Sequence, residues 1–160
     1  MRAPSRLLIR NMRQEPKNSL RAEGHEAQRR SCFLFQAIGQ VANEFDDAAP
    51  PEEIRSKNSR IILDPRLVVG LQGLEVGHKI LIVFCFHLSE SYELLQHPRG
   101  DENLPRRGVF SLRSPDRPNP IGVSVVDLLS MEGNVLLVRG LDAMNTTPVL
   151  DIKPAWPAIP

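Results

Sequence analysis

The stretch ILIVFCF, positions 80–86, is the longest apolar run in the chain. Seven residues suit a strand buried on both faces and fall far short of the roughly eighteen needed by a membrane-spanning helix. Every other apolar stretch is short and bounded by glycine, proline or polar turns. FLFQAIGQVANEF (33–45) carries β-branched and aromatic residues without a helical stripe, and SRIIL (59–63) reads as a short strand. RGVFSLR (107–113) reads the same way. GVSVVDLLSMEGN (122–134) and VLLVRGLDAM (135–144) form a hairpin pair signalled by Glu132-Gly133-Asn134. PVLDIKP supplies a last short strand before the chain dissolves into prolines. One short helix is expected in DPRLVVGLQGL (64–74), with Asp64 as N-cap, Pro65 in the first turn, and an end near Gly70 or Gly73. DDAAPPEEIRSKN (46–58) and SESYELLQHPRGDENLPRRG (89–108) read as polar loops. Seven or so closely spaced strands, no βαβ rhythm and no G-x-G-x-x-G predict a mostly β barrel with one or two short helices and exclude a Rossmann nucleotide domain.

The bulk numbers agree with one folded domain: 160 residues, 41% hydrophobic and 24% charged, with a net charge of +1. The charge is uneven. Before Cys32 stand Arg2, Arg6, Arg10, Arg13, Lys17, Arg21, Arg29 and Arg30, against Glu15, Glu23 and Glu26. The expected division is a basic, flexible extension over 1–31 and a β-barrel domain over 32–160. Such an arm can touch nucleic acid; equally, it reads as a disordered tail or an imprecise start of translation. It has no continuous apolar region of the signal-peptide kind. Cys32 and Cys85 cannot make a C-x-x-C pair or a structural zinc site unaided, and His25, His78 and His97 lack ligand spacing to His87. No metal and no membrane contact are expected, in a reduced, cytoplasmic protein.

The chemistry gathers in RSPDRPNPIG (113–122). Pro115, Pro118 and Pro120 stiffen the loop and remove three backbone donors. Stiffness is useful where Arg113, Arg117 and Asn119 must point at a ligand, because preordered groups lose less entropy on binding. Arginine's planar fork suits carboxylate or phosphate. Alternatively, the arginines pair with Asp116 and Asp127. Gly122 permits a close backbone approach or a bulge. His87 closes the central strand, either as a polar boundary or as a ring offered to a ligand at the barrel mouth. Asp142 and Asp151 are carboxylates among apolar neighbours and need partners. Asp151 can pair with Lys153 or with a loop arginine, and either carboxylate can hold a ribose diol.

RGVFSLRSPDRPNPIGVSVVDLL, RGLDAMNTTPVLDIKP, FCFH and IGQVANEF together resemble the TsaA-like (TrmO) family, from about Phe35 to Pro154. The resemblance implies a homodimeric, single-sheet β-barrel methyltransferase that uses S-adenosyl-L-methionine and methylates N6 of threonylcarbamoyl-adenosine next to the anticodon of tRNA. It implies a cofactor pocket of Glu53, Ile54, His87, Leu88, Arg113, Val123, Gly140, Leu141 and Asp142. In that pocket Arg113 suits the carboxylate and Asp142 the diol or amino group. Leu141, Val123 and Leu88 wall the adenine, and His87 or Phe86 meets the sulfonium. His87 or Asp142 is the candidate general base. Arg117, Asn119, Asp151 and Lys153 are the candidate substrate contacts. The chain departs from the resembled pattern in two places. Asn145-Thr146-Thr147 stands for Asp-Gly-Thr, and Ala155-Trp156 follows DIKP where a tyrosine is usual. The changed turn, together with the further C-terminal domain that some members of the family carry and that is not expected here, keeps two further readings open: a methyltransferase for another small or RNA substrate, and a non-catalytic cofactor- or RNA-binding module.

Overall fold

The structure, a computed structural model, describes residues 32–155. The basic 1–31 arm and Trp156 lie outside the described residues.

The chain forms β1 (Gly39–Ala42), α1 (Pro51–Ser56), β2 (Asn58–Leu63), β3 (Lys79–Cys85), β4 (Leu95–Gln96), β5 (Arg107–Gly108), β6 (Ile121–Glu132), β7 (Val135–Arg139) and β8 (Pro148–Pro154). Six of these close into one antiparallel barrel in the order β1-β2-β7-β6-β3-β8, with β8 returning to β1. The expected mostly β, single-sheet barrel is what the chain builds. Period-2 alternation sets its inside. Along β6 the residues Gly122, Ser124, Val126 and Leu128 point inward, while Ile121, Val123 and Val125 stand outside. Val41, Ile61, Leu63, Ile80, Ile82, Phe84, Leu136, Val138, Leu141 and Val149 fill the interior with them, as a small closed barrel requires.

ILIVFCF does become the central strand, paired with β6 on one side and β8 on the other. The β6–β7 hairpin closes on Gly133 at φ +58°, the positive value that the first central residue of a type II′ turn needs. Gly122 accommodates a close approach. A Cβ there would lie 2.3 Å from the Phe84 ring and 2.9 Å from the Phe86 ring. Those two rings pack edge to face at 5.3 Å.

Four local expectations need correcting. DDAAPPEEIRSKN is not all loop: Pro51 at the first helical position, with Glu52 and Glu53 in the first turn, starts α1. The helix expected from Asp64 is a 3-10 helix, Pro65–Leu71, capped as foreseen by the Asp64 carboxylate, which accepts from the Arg66 N–H at 3.0 Å. The strand expected over 33–45 shrinks to β1, leaving Phe33, Leu34 and Phe35 exposed. RGVFSLR gives only the two residues of β5 and then a 3-10 turn, Val109–Ser111. β5 pairs only with β4, in a two-stranded ribbon separate from the barrel.

Candidate active site

Antiparallel closure brings the ends of β1, β3 and β7 and the starts of β2, β6 and β8 to one mouth of the barrel. Every connection at that mouth carries a candidate. The β1–β2 link contributes α1. Beyond β3, Phe86–Ser89 makes a turn, closed by the Ser89 N–H donating to Phe86 O at 3.1 Å, with His87 and Leu88 at its centre. The excursion 89–120 follows, ending in the proline loop, and the segment after β7 brings Gly140, Leu141, Asp142 and the 143–147 turn.

The proline loop is clamped as well as stiff. Phe86 N–H donates to Pro120 O at 2.8 Å, and Ser89 Oγ donates to Asp116 Oδ1 at 3.0 Å. The Gln96 amide reaches Asp116 O. Arg117 N–H donates to Pro115 O at 2.9 Å within the loop. Among the described residues neither Arg113 nor Arg117 takes part in an ion pair; Asp127, offered as a partner, is taken by Lys79 at 2.5 Å. Two guanidinium groups thus stand on a clamped loop with no ion-pair partner among the described residues.

A cavity of about 1060 Å³ opens between α1, the excursion and the segment after β7, with Arg55, Tyr92, Arg106, Arg113, Asp116 and Asp142 in its lining. Asp142 sits on its wall in an ion pair with Arg55 at 2.5 Å, and its N–H is 3.3 Å from Ser124 Oγ. Arg99–Glu52 at 3.0 Å and Arg106–Glu93 at 2.8 Å close other parts of the rim. His87 and Leu88 belong to the same mouth but not to this lining. The His87 ring lies near two hydroxyls, Thr147 Oγ1 at 3.4 Å from Nδ1 and Thr146 Oγ1 at 3.5 Å from Nε2. Partial burial pushes the imidazole below its ordinary pKa, because desolvation disfavours the cation.

The remaining candidates fall in different places. Leu88 is exposed and Glu53 faces solvent, whereas Ile54 and Leu141 are buried, Leu141 as part of the barrel core. The Leu141 side chain therefore supports the site from beneath and does not line it. Gly140 has φ +95° and runs against the backbone of Val125. Val123 stands on the outer wall of β6, paired with Val83. Asn119 is exposed, its carbonyl accepting from Ile121 N–H at 2.7 Å. Asp151 and Lys153 are on the outer wall of β8, joined to each other at 2.5 Å, with Lys153 toward the far end of the barrel. No loop arginine pairs with Asp151 among the described residues. Sequence reasoning missed Arg55, Tyr92, Arg99 and Arg106. The helix-start pattern of PPEEIR would have found α1, and with it Arg55; the other three come together only through the folding of the excursion.

The donor set suits a zwitterionic, nucleoside-bearing ligand. It offers one guanidinium without an ion-pair partner among the described residues for a carboxylate, one carboxylate for a diol or ammonium, and room for a molecule of that size, with an exposed leucine elsewhere on the same mouth.

Residues 42–159 match the family of the tRNA-methyltransferase O N-terminal domain. The chain belongs to this family. It is 40% identical over 125 residues to a probable S-adenosyl-L-methionine-binding protein of Methanothermobacter thermautotrophicus, covering 76% of this chain and 89% of that one. It is 42% identical over 88 residues to the human tRNA (adenine(37)-N6)-methyltransferase, covering 53% of this chain and 20% of the human protein. Among solved structures, a TrmO crystal structure superposes with a TM-score of 0.62 at 32% identity, covering 79% of this chain. The chain spans 59% of that solved TrmO chain.

Proposed function

We propose that this protein is an S-adenosyl-L-methionine-dependent tRNA methyltransferase that methylates N6 of threonylcarbamoyl-adenosine next to the anticodon. The observation that carries the reading is the convergence of Arg113, Asp142 and His87 on one barrel mouth, beside a cavity of about 1060 Å³, in a chain of this family. Relatives named for binding S-adenosyl-L-methionine and for methylating tRNA support both the cofactor and the substrate class.

When bound, the cofactor supplies a methyl group activated on sulfonium. Arg113 would hold its carboxylate. Asp142 would take the diol or amino group, exchanging part of its pairing with Arg55, and Leu88 would cover the adenine. Transfer needs the accepting nitrogen in line with that methyl, so the clamped proline loop acts chiefly by positioning. Arg117 and Asn119 project from the same loop toward a phosphate or the threonyl carboxylate. Of the two candidate bases, His87 is the better placed. It is held toward its neutral form, whose unprotonated ring nitrogen can accept a proton, whereas Asp142 is already committed to Arg55. Asp151 and Lys153 would contact only tRNA that wraps onto the outer wall. The reading includes a homodimer working in the cytoplasm, where its substrate is; light scattering tests the dimer.

The decisive experiment incubates the purified protein with labelled cofactor and tRNA from cells lacking the enzyme, then digests the tRNA for mass spectrometry. One added methyl on threonylcarbamoyl-adenosine is the expected result. Arg113→Ala should weaken cofactor binding at least tenfold, and an unchanged affinity would remove Arg113 from the site. A second reading, methylation of another small or RNA substrate, is favoured by the Asn145-Thr146-Thr147 turn beside His87. Cofactor turnover without label in tRNA would select it, and binding without turnover would indicate a non-catalytic module.

A further inference from the structure

Thr146 has a backbone conformation that its side chain resists. Its φ is +61°, in the left-handed region. A β-branched residue is a genuine outlier there, because Cβ crowds its own backbone. Glycine would take this conformation without cost, and glycine is what the resembled motif carries at this position. The strain is imposed by hydrogen bonds on both sides. Thr146 N–H donates to Val41 O at 2.9 Å, Asn145 N–H to Phe45 O at 2.8 Å, and Val41 N–H to Thr147 O at 2.9 Å. The Asn145 amide oxygen accepts from Asn43 N–H at 3.2 Å, while its nitrogen donates to Asp46 Oδ1 at 2.6 Å. Asn43 Nδ2 in turn donates to Ala143 O at 2.9 Å. The turn is therefore fixed to the end of β1, and Thr146 cannot relax by itself. Strain kept in place this way marks a position where the side chain does something the backbone alone would not.

The side chain reaches His87. Thr146 Oγ1 and Thr147 Oγ1 stand beside the two different nitrogens of one imidazole, at 3.5 and 3.4 Å. A neutral imidazole has one donor and one acceptor nitrogen, and a hydroxyl can serve either by rotating its proton. Two consecutive hydroxyls can thus satisfy both ring nitrogens in either tautomer and hold the orientation of the ring. We propose that Thr146 is a positioning residue: its left-handed conformation is retained so that its hydroxyl, with that of Thr147, brackets His87 and fixes the orientation of the imidazole at the barrel mouth. The proposal rests on the placing of His87 in the site, but its test does not require turnover.

The test compares the full chain with Thr146→Gly, Thr146→Ser and Thr146→Val, reading the ring ¹⁵N shifts of His87, the melting temperature and methyl transfer. Thr146→Gly should melt higher, by roughly 3–8 °C, because the left-handed conformation is no longer strained. It should also move the His87 Nε2 shift, because the hydroxyl beside that nitrogen is lost, and lower kcat at least fivefold, with KM for the cofactor unchanged. Thr146→Ser restores the hydroxyl and should return the ring signature to that of the parent. Thr146→Val keeps the branched shape without the hydroxyl and should behave spectroscopically like glycine. Parental His87 shifts in both the Gly and Val variants would overturn the proposal, even if the protein methylates tRNA. A parent chain without tRNA methylation, but with His87 shifts that follow the hydroxyl, would count against the proposed substrate and leave this positioning role standing.

Discussion

Replacing Gly122 by alanine puts one methyl carbon into space already held by two aromatic rings. The added Cβ would lie 2.3 and 2.5 Å from Phe84 Cε2 and Cζ, and 2.9 Å from Phe86 Cζ. Comfortable carbon–carbon separations are about 3.5–4.0 Å, so both rings must give, Phe84 by about 1 Å and Phe86 by somewhat less. Phe84 is 1% exposed and packed among core residues on every side, so it has nowhere to go without displacing them. Overpacking of a tight core costs about 1–3 kcal/mol, and this site should fall in the upper half, at about 2–3 kcal/mol. That corresponds to a fall of about 8–12 °C in Tm, with an unchanged urea m-value. Phe86, which is half-buried and immediately precedes His87, must move as well. Methyl transfer should therefore drop by more than the loss of folded protein explains. The cause is checked with a double-mutant cycle against Phe84→Leu. Shrinking the ring should relieve the alanine, giving a coupling of at least about 1 kcal/mol. A Gly122→Ala protein within about 0.5 kcal/mol of the parent, or simple additivity with Phe84→Leu, would refute the steric argument.

Leu141→Ala should cost about 2–5 kcal/mol in urea unfolding because the side chain is fully buried, whereas Leu88→Ala, at 61% exposure, should leave stability within about 0.5 kcal/mol and weaken cofactor binding in calorimetry. Asp142→Asn should weaken cofactor binding about tenfold. Its coupling to Arg55→Ala in stability should stay below about 1 kcal/mol, since both partners are partly open to solvent. His87 binds its proton less readily in the folded state than in the unfolded chain. Its contribution should therefore be absent above the ordinary imidazole pKa of 6.5 and should lower stability as pH falls from there toward the depressed folded value. Urea titrations at stepped pH should show that slope in the parent and lose it in His87→Gln.

How much of this was legible in advance differs by type of feature. The barrel strands could be read because alternation and apolar runs are local patterns: ILIVFCF, the Gly133 hairpin and the Asp64 cap each carry their signal within a few residues. Strand length was less legible. Whether FLFQ or VFSL continues a strand depends on which backbone lies alongside, and here β1 pairs only from Gly39 onward while β5 meets only β4. The stiffness of the proline loop was likewise visible in its residues, but its clamp onto Ser89 and Gln96 was not.

The amino-acid order by itself determined a β-rich chain, a rigid arginine-bearing loop entering a buried strand, and a family motif long enough to name candidates. Those properties belong to residues adjacent in the chain. The tertiary structure decided which candidates meet. It set Asp142 against Arg55, sent Asp151 and Lys153 to the outer wall, buried Leu141 in the core, and turned Thr146 into its strained conformation beside His87. Each of those outcomes depends on strand register and barrel closure, which join residues dozens of positions apart and which no local pattern encodes.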